Sequence, residues 1–365
     1  MKNGLLICSG SGAQKNIGDY IQSVAQEQFI GPDYCYVERE SLNTYKSDEK
    51  INLIMNAWFM WNPENFPPSD YINPLFISFH IVPSVAQRLL TDKTISYLKK
   101  YEPIGARDKG TMKLLQSYGI DSYFSGCLTL TLGRNFVADD KDDSIYFVDP
   151  YFELGGDYYA NKLLKIYRSV ILSMKHRKTV SKFYKHFNYE FKTRLNKMFP
   201  LLEKFLMAAS FYESYKSSFS DDVLIKAKYI THAVNQSDFQ NEEEKMEYAR
   251  ELIRKYARAH LIITSRIHCA LPALGVETPV IFVNSEKLRG NGVRSAGRFE
   301  GLIDLMHVME WTPKSVNAVT KEIQEQICTE GKINMKTNIS VLTTYRKYAK
   351  ELTEKVCKFL DGNFI

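Results

Sequence analysis

Residues 261–284 read LIITSRIHCALPALGVETPVIFVN, and this stretch decides the fold. Leu261 to Thr264 is a short, mostly β-branched apolar run, as in a strand buried on both faces. Ile267 to Leu274 has the composition of a buried helix, Gly275 stops it, and Pro279 to Asn284 is a second apolar run. Strand, helix and strand in such quick succession form a β–α–β unit, whose two strands run parallel. Outward from it, Lys228 to Val234 reads as a strand. Glu242 to Ala259 reads as a helix whose Glu-rich start suits a helix N-terminus.

The first 135 residues alternate in the same way. Gly4 to Cys8 is a strand, Ser9-Gly10-Ser11-Gly12 a turn and Asn16 to Phe29 a helix. Ile51 to Asn56 and Leu75 to Phe79 are buried strands, and Thr91 to Tyr101 is a helix. A strand ends at Gly105-Ala106-Arg107, a helix runs from Asp108 to Tyr118, and a further strand lies near Tyr123. The fold class is α/β: two Rossmann-like domains facing across a cleft. The N-terminal domain spans 1–138, with acidic 139–143 as the link. The C-terminal domain spans 144–335 and carries a helical insertion at about 156–220. Residues 336–365 form a C-terminal helix that packs back on the body.

Composition narrows the functional classes. The chain has 365 residues, 44% hydrophobic and 25% charged, which suits a folded globular protein. The apolar run Leu5 to Cys8 is too short for a secretory core, and no apolar stretch is long enough to span a bilayer. The six cysteines are scattered without a CxxC pair, as free thiols would be. Net charge is +6 (48 minus 42), too little to mark a nucleic-acid binder. The excess is local: Asp157 to Ser218 holds 13 Lys/Arg against 4 Asp/Glu, with many aromatics and apolar residues at helical spacing (Leu163, Leu164, Tyr167, Ile171, Met174). Basic amphipathic helices are expected there, either as a merely solvated face or as a surface for an anionic membrane; no nucleic-acid partner is expected.

Three junctions carry candidate chemistry. Asn16-Ile17-Gly18-Asp19 follows the first strand, where helix N–H groups hold anions, and Asn16 with Asp19 also fits a variant capping box. Gly105-Ala106-Arg107-Asp108 puts an arginine at a strand end and Asp108 at an N-cap. Ser265-Arg266-Ile267-His268 puts an arginine and a histidine at a helix N-terminus, suited to anion binding with proton transfer. His80 also sits at a strand end, while His176 and His186 read as surface residues. GxGxxG, Walker A, HExxH and GxSxG patterns are absent, so neither a dinucleotide, a metal nor a serine nucleophile is indicated.

In the order and spacing of these motifs, from about residue 3 to 285, the chain resembles the polysaccharide pyruvyl transferase family. The matching residues are Asn16 to Asp19, then Gly105 to Asp108 with Leu114 and Gly119, then Ser265 to His268 with Ala270, Gly275 and Pro279. The resemblance implies a glycosyltransferase-B-like pair of domains. It implies an enzyme of exopolysaccharide biosynthesis that moves the pyruvyl group of phosphoenolpyruvate onto a sugar as a ketal. No cofactor is implied beyond the donor substrate. Arg266 and the Ile267 backbone are the expected donor contacts, with Arg107, Asn16 and Gly18 beside them. His268 is the expected general acid and Asp19 the base for the sugar hydroxyl. The acceptor is a saccharide, free or lipid-linked, so the expected location is cytoplasmic, at the inner membrane face. A nucleotide-sugar-dependent glycosyltransferase of the same architecture and a non-catalytic glycan- or membrane-binding protein are the alternatives.

Overall fold

The computed structural model describes residues 1–9, 16–152, 162–187, 199–285, 297–312 and 315–362. It is a mixed α/β protein with two main, mostly parallel sheets. In the first, β1 (Lys2–Ile7), β2 (Tyr34–Glu38), β3 (Ile51–Ile54) and β5 (Ile72–Leu75) run parallel in the order 2-1-3-5. Two short pairs prolong that layer: β4 (Trp58–Phe59) with β6 (His80–Ile81), and β7 (Ile104–Ala106) with β8 (Ser122–Phe124). Phe79 N–H donates to Gly105 O at 2.9 Å, stitching the pairs together.

The second sheet has the order β10-β9-β11-β12-β13-β14. Its strands are β9 (Ile145–Val148), β10 (Lys228–Ile230), β11 (Leu261–Thr264), β12 (Val280–Asn284), β13 (His307–Trp311) and β14 (Val316–Ala318). Only β14 is antiparallel. Both sheets therefore begin alike: the first strand lies between the second and the third. That order places a topological switch point at the carboxyl ends of β1 and β9, where α/β sheets bind ligands.

The opening stretch folds as its pattern dictates. Strands β11 and β12 are buried throughout, and helix α6 (Ile267–Gly275) joins them. The other long helices are α1 (Gly18–Ile30), α2 (Lys109–Ser117), α3 (Lys162–Lys175), α4 (Pro200–Tyr215), α5 (Glu242–Arg258), α7 (Lys321–Glu330) and α8 (Tyr345–Leu360). Strands β2, β13 and β14 and helix α7 are additions to the sequence reading.

The two sheets share one apolar layer, built from α1, α5, α6 and α8 with residues such as Ile21, Val24, Leu252, Leu271 and Val356. Each such side chain, fully buried, is worth about 1.5–3 kcal/mol, so this layer fixes the junction between the halves. Helix α8 reaches both sides: Arg346 donates to Glu277 at 2.8 Å and the Tyr348 ring meets Phe124 at 5.1 Å. The insertion seals the far face of the second sheet with an aromatic cluster around Phe147, Phe183, Phe187, Phe211 and Tyr229. Those aromatics are core, so they offer no stacking platform for bases. Of the two expected surface histidines, His186 is exposed, whereas His176 is partly buried and pairs with Glu213 at 2.5 Å.

Candidate active site

The segments that follow β1 and β10 meet across the shared layer. The N–H of Ile17 donates to His232 O at 3.0 Å, and Asn16 bridges Ala233. Closer in, Gly18 packs directly on His268. A methyl group at position 18 would sit 2.9 Å from His268 Cβ and 3.1 Å from its Nδ1. The absence of a side chain there lets the two halves touch.

Arg107 follows β7 and is buried. Its Nη1 lies 3.4 Å from His268 Nε2. Its Nε and Nη2 are buried without a hydrogen-bond acceptor; Asp108 Oδ2 is 3.4 Å from Nε. Behind it, Asp108 caps α2 as its spacing predicts, accepting the Thr111 N–H at 2.9 Å. The same carboxylate meets His80 Nδ1 at 2.6 Å. Burial opposes its ionisation, but His80, Arg107 and the Thr111 N–H outweigh burial and hold its pKa below the usual value. Burial and the Arg107 charge push His80 down to about 4, so a neutral imidazole lies against the charged Asp108, with its Nδ1 also 3.0 Å from Thr111 Oγ1. This pair backs Arg107.

His268 occupies the first turn of α6, where the N–H groups of Ile267 and His268 have no intrahelical acceptor. Burial, then Arg107 and Arg298, then His232 and His80, hold the His268 pKa well below the ordinary value. Arg266, the N-cap residue of α6, donates from Nε to Asp149 Oδ2 at 3.0 Å. Asp149 follows β9 in a left-handed conformation (φ 42°), and the same oxygen accepts the His232 N–H at 2.9 Å. His232 is fully buried, donates to or accepts from Tyr256 Oη at 2.6 Å, and is pushed down to about 4 chiefly by burial.

Arg298 is a member that the motifs did not reveal. Its Nε is buried without an acceptor, and burial, Arg107 and Arg266 lower its pKa to about 10. A backbone contact delivers it: a Cβ at Gly110 would lie 2.7 Å from Gly297 C, and Gly297 has φ 77°. Lys109 N–H donates to Glu300 O at 2.9 Å and secures that turn on α2. Only the crowding of glycine against glycine could have hinted at Arg298. Asp149 and His232 were equally silent, because no motif flags a lone acid at a strand end.

The first-loop residues divide. Asn16 Oδ1 accepts the Gly18 N–H at 3.2 Å, but the capping box does not form. Asp19 turns away, to Gln22 Nε2 at 3.3 Å and Arg39 Nη1 at 4.0 Å. The buried guanidinium of Arg39 outcompetes a helix-capping role. Burial raises the Asp19 pKa, with Arg39 and Arg107 opposing. Asp19 thus lies within the field of Arg107 but forms part of a small cavity with Cys8, Gln22, Arg39 and Asn56. Gly10 and Gly12 lie outside the described residues.

The arrangement sums to three arginines, two carboxylates and three histidines held neutral by burial. A net positive, partly desolvated cluster in which Arg107 and Arg298 carry buried guanidinium nitrogens without acceptors is chemically suited to a small multivalent anion. Among the described residues, no group of three or more His, Cys, Asp or Glu side chains is placed to hold a metal ion. A family model described as polysaccharide pyruvyl transferase matches residues 16–287, which takes in all three motif junctions. No curated protein and no solved structure matches the chain.

Proposed function

The chain belongs to the polysaccharide pyruvyl transferase family, and we propose that its donor is phosphoenolpyruvate and its product a pyruvate ketal on a sugar of a surface polysaccharide or its lipid-linked precursor. The two sheets are read accordingly as a glycosyltransferase-B-like pair closed on one another, working in the cytoplasm. The observation that carries this reading is Arg107, buried beside His268 with two guanidinium nitrogens lacking acceptors. Phosphoenolpyruvate brings a phosphate and a carboxylate. Arg107, Arg266 and Arg298 neutralise them, with the Ile267 and His268 N–H groups at the α6 terminus.

The reaction balances without an external oxidant or reductant. The methylene carbon takes a proton and becomes the methyl group. One sugar hydroxyl adds to the central carbon and phosphate leaves. A second hydroxyl then adds, giving the ketal. Of the two hydroxyl protons, one replaces that on the methylene donor and one leaves with the phosphate. His268 is the proton donor, and donor binding raises its pKa from the depressed state by replacing repulsion with attraction. Asp19, whose pKa burial raises, accepts a hydroxyl proton.

The test is calorimetric titration of phosphoenolpyruvate into the wild type and Arg266→Ala, with uridine diphosphate titrated in parallel. Binding of phosphoenolpyruvate that the substitution abolishes supports the reading. Binding of the nucleotide alone replaces it with a nucleotide-sugar transferase.

A further inference from the structure

Helix α3 is inside out. Tyr167, Val170, Ile171 and Met174 stand at i, i+3, i+4 and i+7 on one edge, 66, 38, 43 and 67% exposed. The opposite edge buries Ser169 and Ser173 beside Leu172, facing α4. A surface helix ordinarily hides its apolar stripe and wets its polar one. Helix α4 adds Phe199, Leu201 and Leu202 at its start, each about half exposed. Seven of the thirteen exposed large apolar side chains among the described residues lie in this insertion.

The surrounding charge selects the occupant. Lys162 to Phe187 contains eight Lys/Arg and no Asp or Glu. Lys175, Arg177, Lys178, Lys182 and Lys185 are exposed. A second copy of this face would set like charges against one another, and no nucleic-acid-binding motif accompanies the basic run. An anionic bilayer leaflet satisfies both features. Its acyl boundary takes the apolar stripe, and its headgroups take the lysines and arginines. We propose that the insertion is an interfacial membrane-binding surface for a leaflet rich in anionic lipid. The inference is independent of the donor chemistry, since vesicle binding does not require phosphoenolpyruvate to bind.

The experiment is co-sedimentation of the full chain with vesicles of phosphatidylcholine alone or mixed with phosphatidylglycerol. Binding is expected only to the mixed vesicles, weakening as salt rises. Ile171→Ser/Met174→Ser should lower that affinity by about tenfold or more, and Arg177→Glu/Lys178→Glu should lower it also. Phosphoenolpyruvate affinity and thermal midpoint should stay at wild-type values in both variants, because these side chains are exposed and distant in sequence from the site residues. Failure of the wild type to bind mixed vesicles overturns the proposal, as does undiminished binding by the apolar variant. So does a concentration-dependent dimer, seen by light scattering, that the apolar variant abolishes: it would assign the face to a second copy.

Discussion

Acidification should destabilise this protein through histidines that fold neutral. His80 and His232 are buried, and their pKa values fall to about 4 from an ordinary 6.5. The unfolded chain then binds protons that the folded chain refuses, so stability falls as pH drops below 6.5 and levels off near 4. Between pH 8 and pH 5, one such histidine costs about 2 kcal/mol by that linkage, and the two together about 4 kcal/mol. His268 is depressed in the same direction and adds to the loss. Asp19 opposes it, because a carboxyl raised by burial binds its proton more readily in the folded state. Asp108, held low, contributes only at more acid pH. Urea unfolding at both pH values reads the effect. His232→Gln should remove about half of the two-histidine loss while keeping a hydrogen-bonding partner for Tyr256. An equal pH dependence in wild type and His232→Gln would refute the reasoning, as would an NMR titration placing His232 near 6.5.

Gly18→Ala should perturb catalysis more than stability. The new methyl would lie 2.9 Å from His268 Cβ, a backbone-anchored atom, so the histidine must move. Helix propensity gains about 1 kcal/mol against an overpacking cost of about 1–3 kcal/mol. The thermal midpoint should therefore shift little, while phosphate release from phosphoenolpyruvate with an active acceptor falls by about tenfold to a hundredfold. Arg107→Gln should weaken phosphoenolpyruvate binding by roughly thirtyfold or more by calorimetry, and wild-type affinity would remove Arg107 from the donor site. Arg298→Gln should raise the His268 pKa, because a positive neighbour is gone, and histidine NMR checks the direction. Asp149→Asn should preserve the fold, since Asn accepts a positive φ, yet remove the charge that orients Arg266 and reduce donor affinity by calorimetry.

The sheet-forming apolar runs were legible because parallel strands must be buried on both faces, and the motif junctions because helix N-termini attract arginine, histidine and aspartate. Residues 261–284 fold to within a residue or two of their pattern. Three kinds of information were not in the pattern. Strands β13 and β14 belong to the sheet through pairing, not through any unusual run. Arg298 joins the site through a glycine–glycine contact between segments far apart in the chain. Asp19 seemed bound to Asn16 by local spacing, but a buried Arg39 from beyond β2 captures it. The α3 stripe was visible as a periodicity, whereas its outward direction was not, because period alone does not say which face the core takes.

The site's electrostatics have a consequence for the order of events. Burial, with the charges of Arg107 and Arg298, holds the His268 pKa well below its ordinary value, and a neutral imidazole cannot protonate a methylene carbon. On the proposed reading, the donor itself therefore makes the acid. A phosphate and a carboxylate entering this cluster cancel the arginine field and favour the imidazolium at the carbon that needs the proton. On that reading, Arg107 and Arg298 both meet the anion and add to burial in keeping the acid switched off until it arrives. A more exposed histidine would be protonated more often without donor, but its proton would be shared with water. A histidine without arginine neighbours would carry no signal of donor binding. On the proposed reading, Gly18 and the His80–Asp108 pair serve that coupling: one lets His268 approach the opposite half, and the other fixes the arginine that faces it.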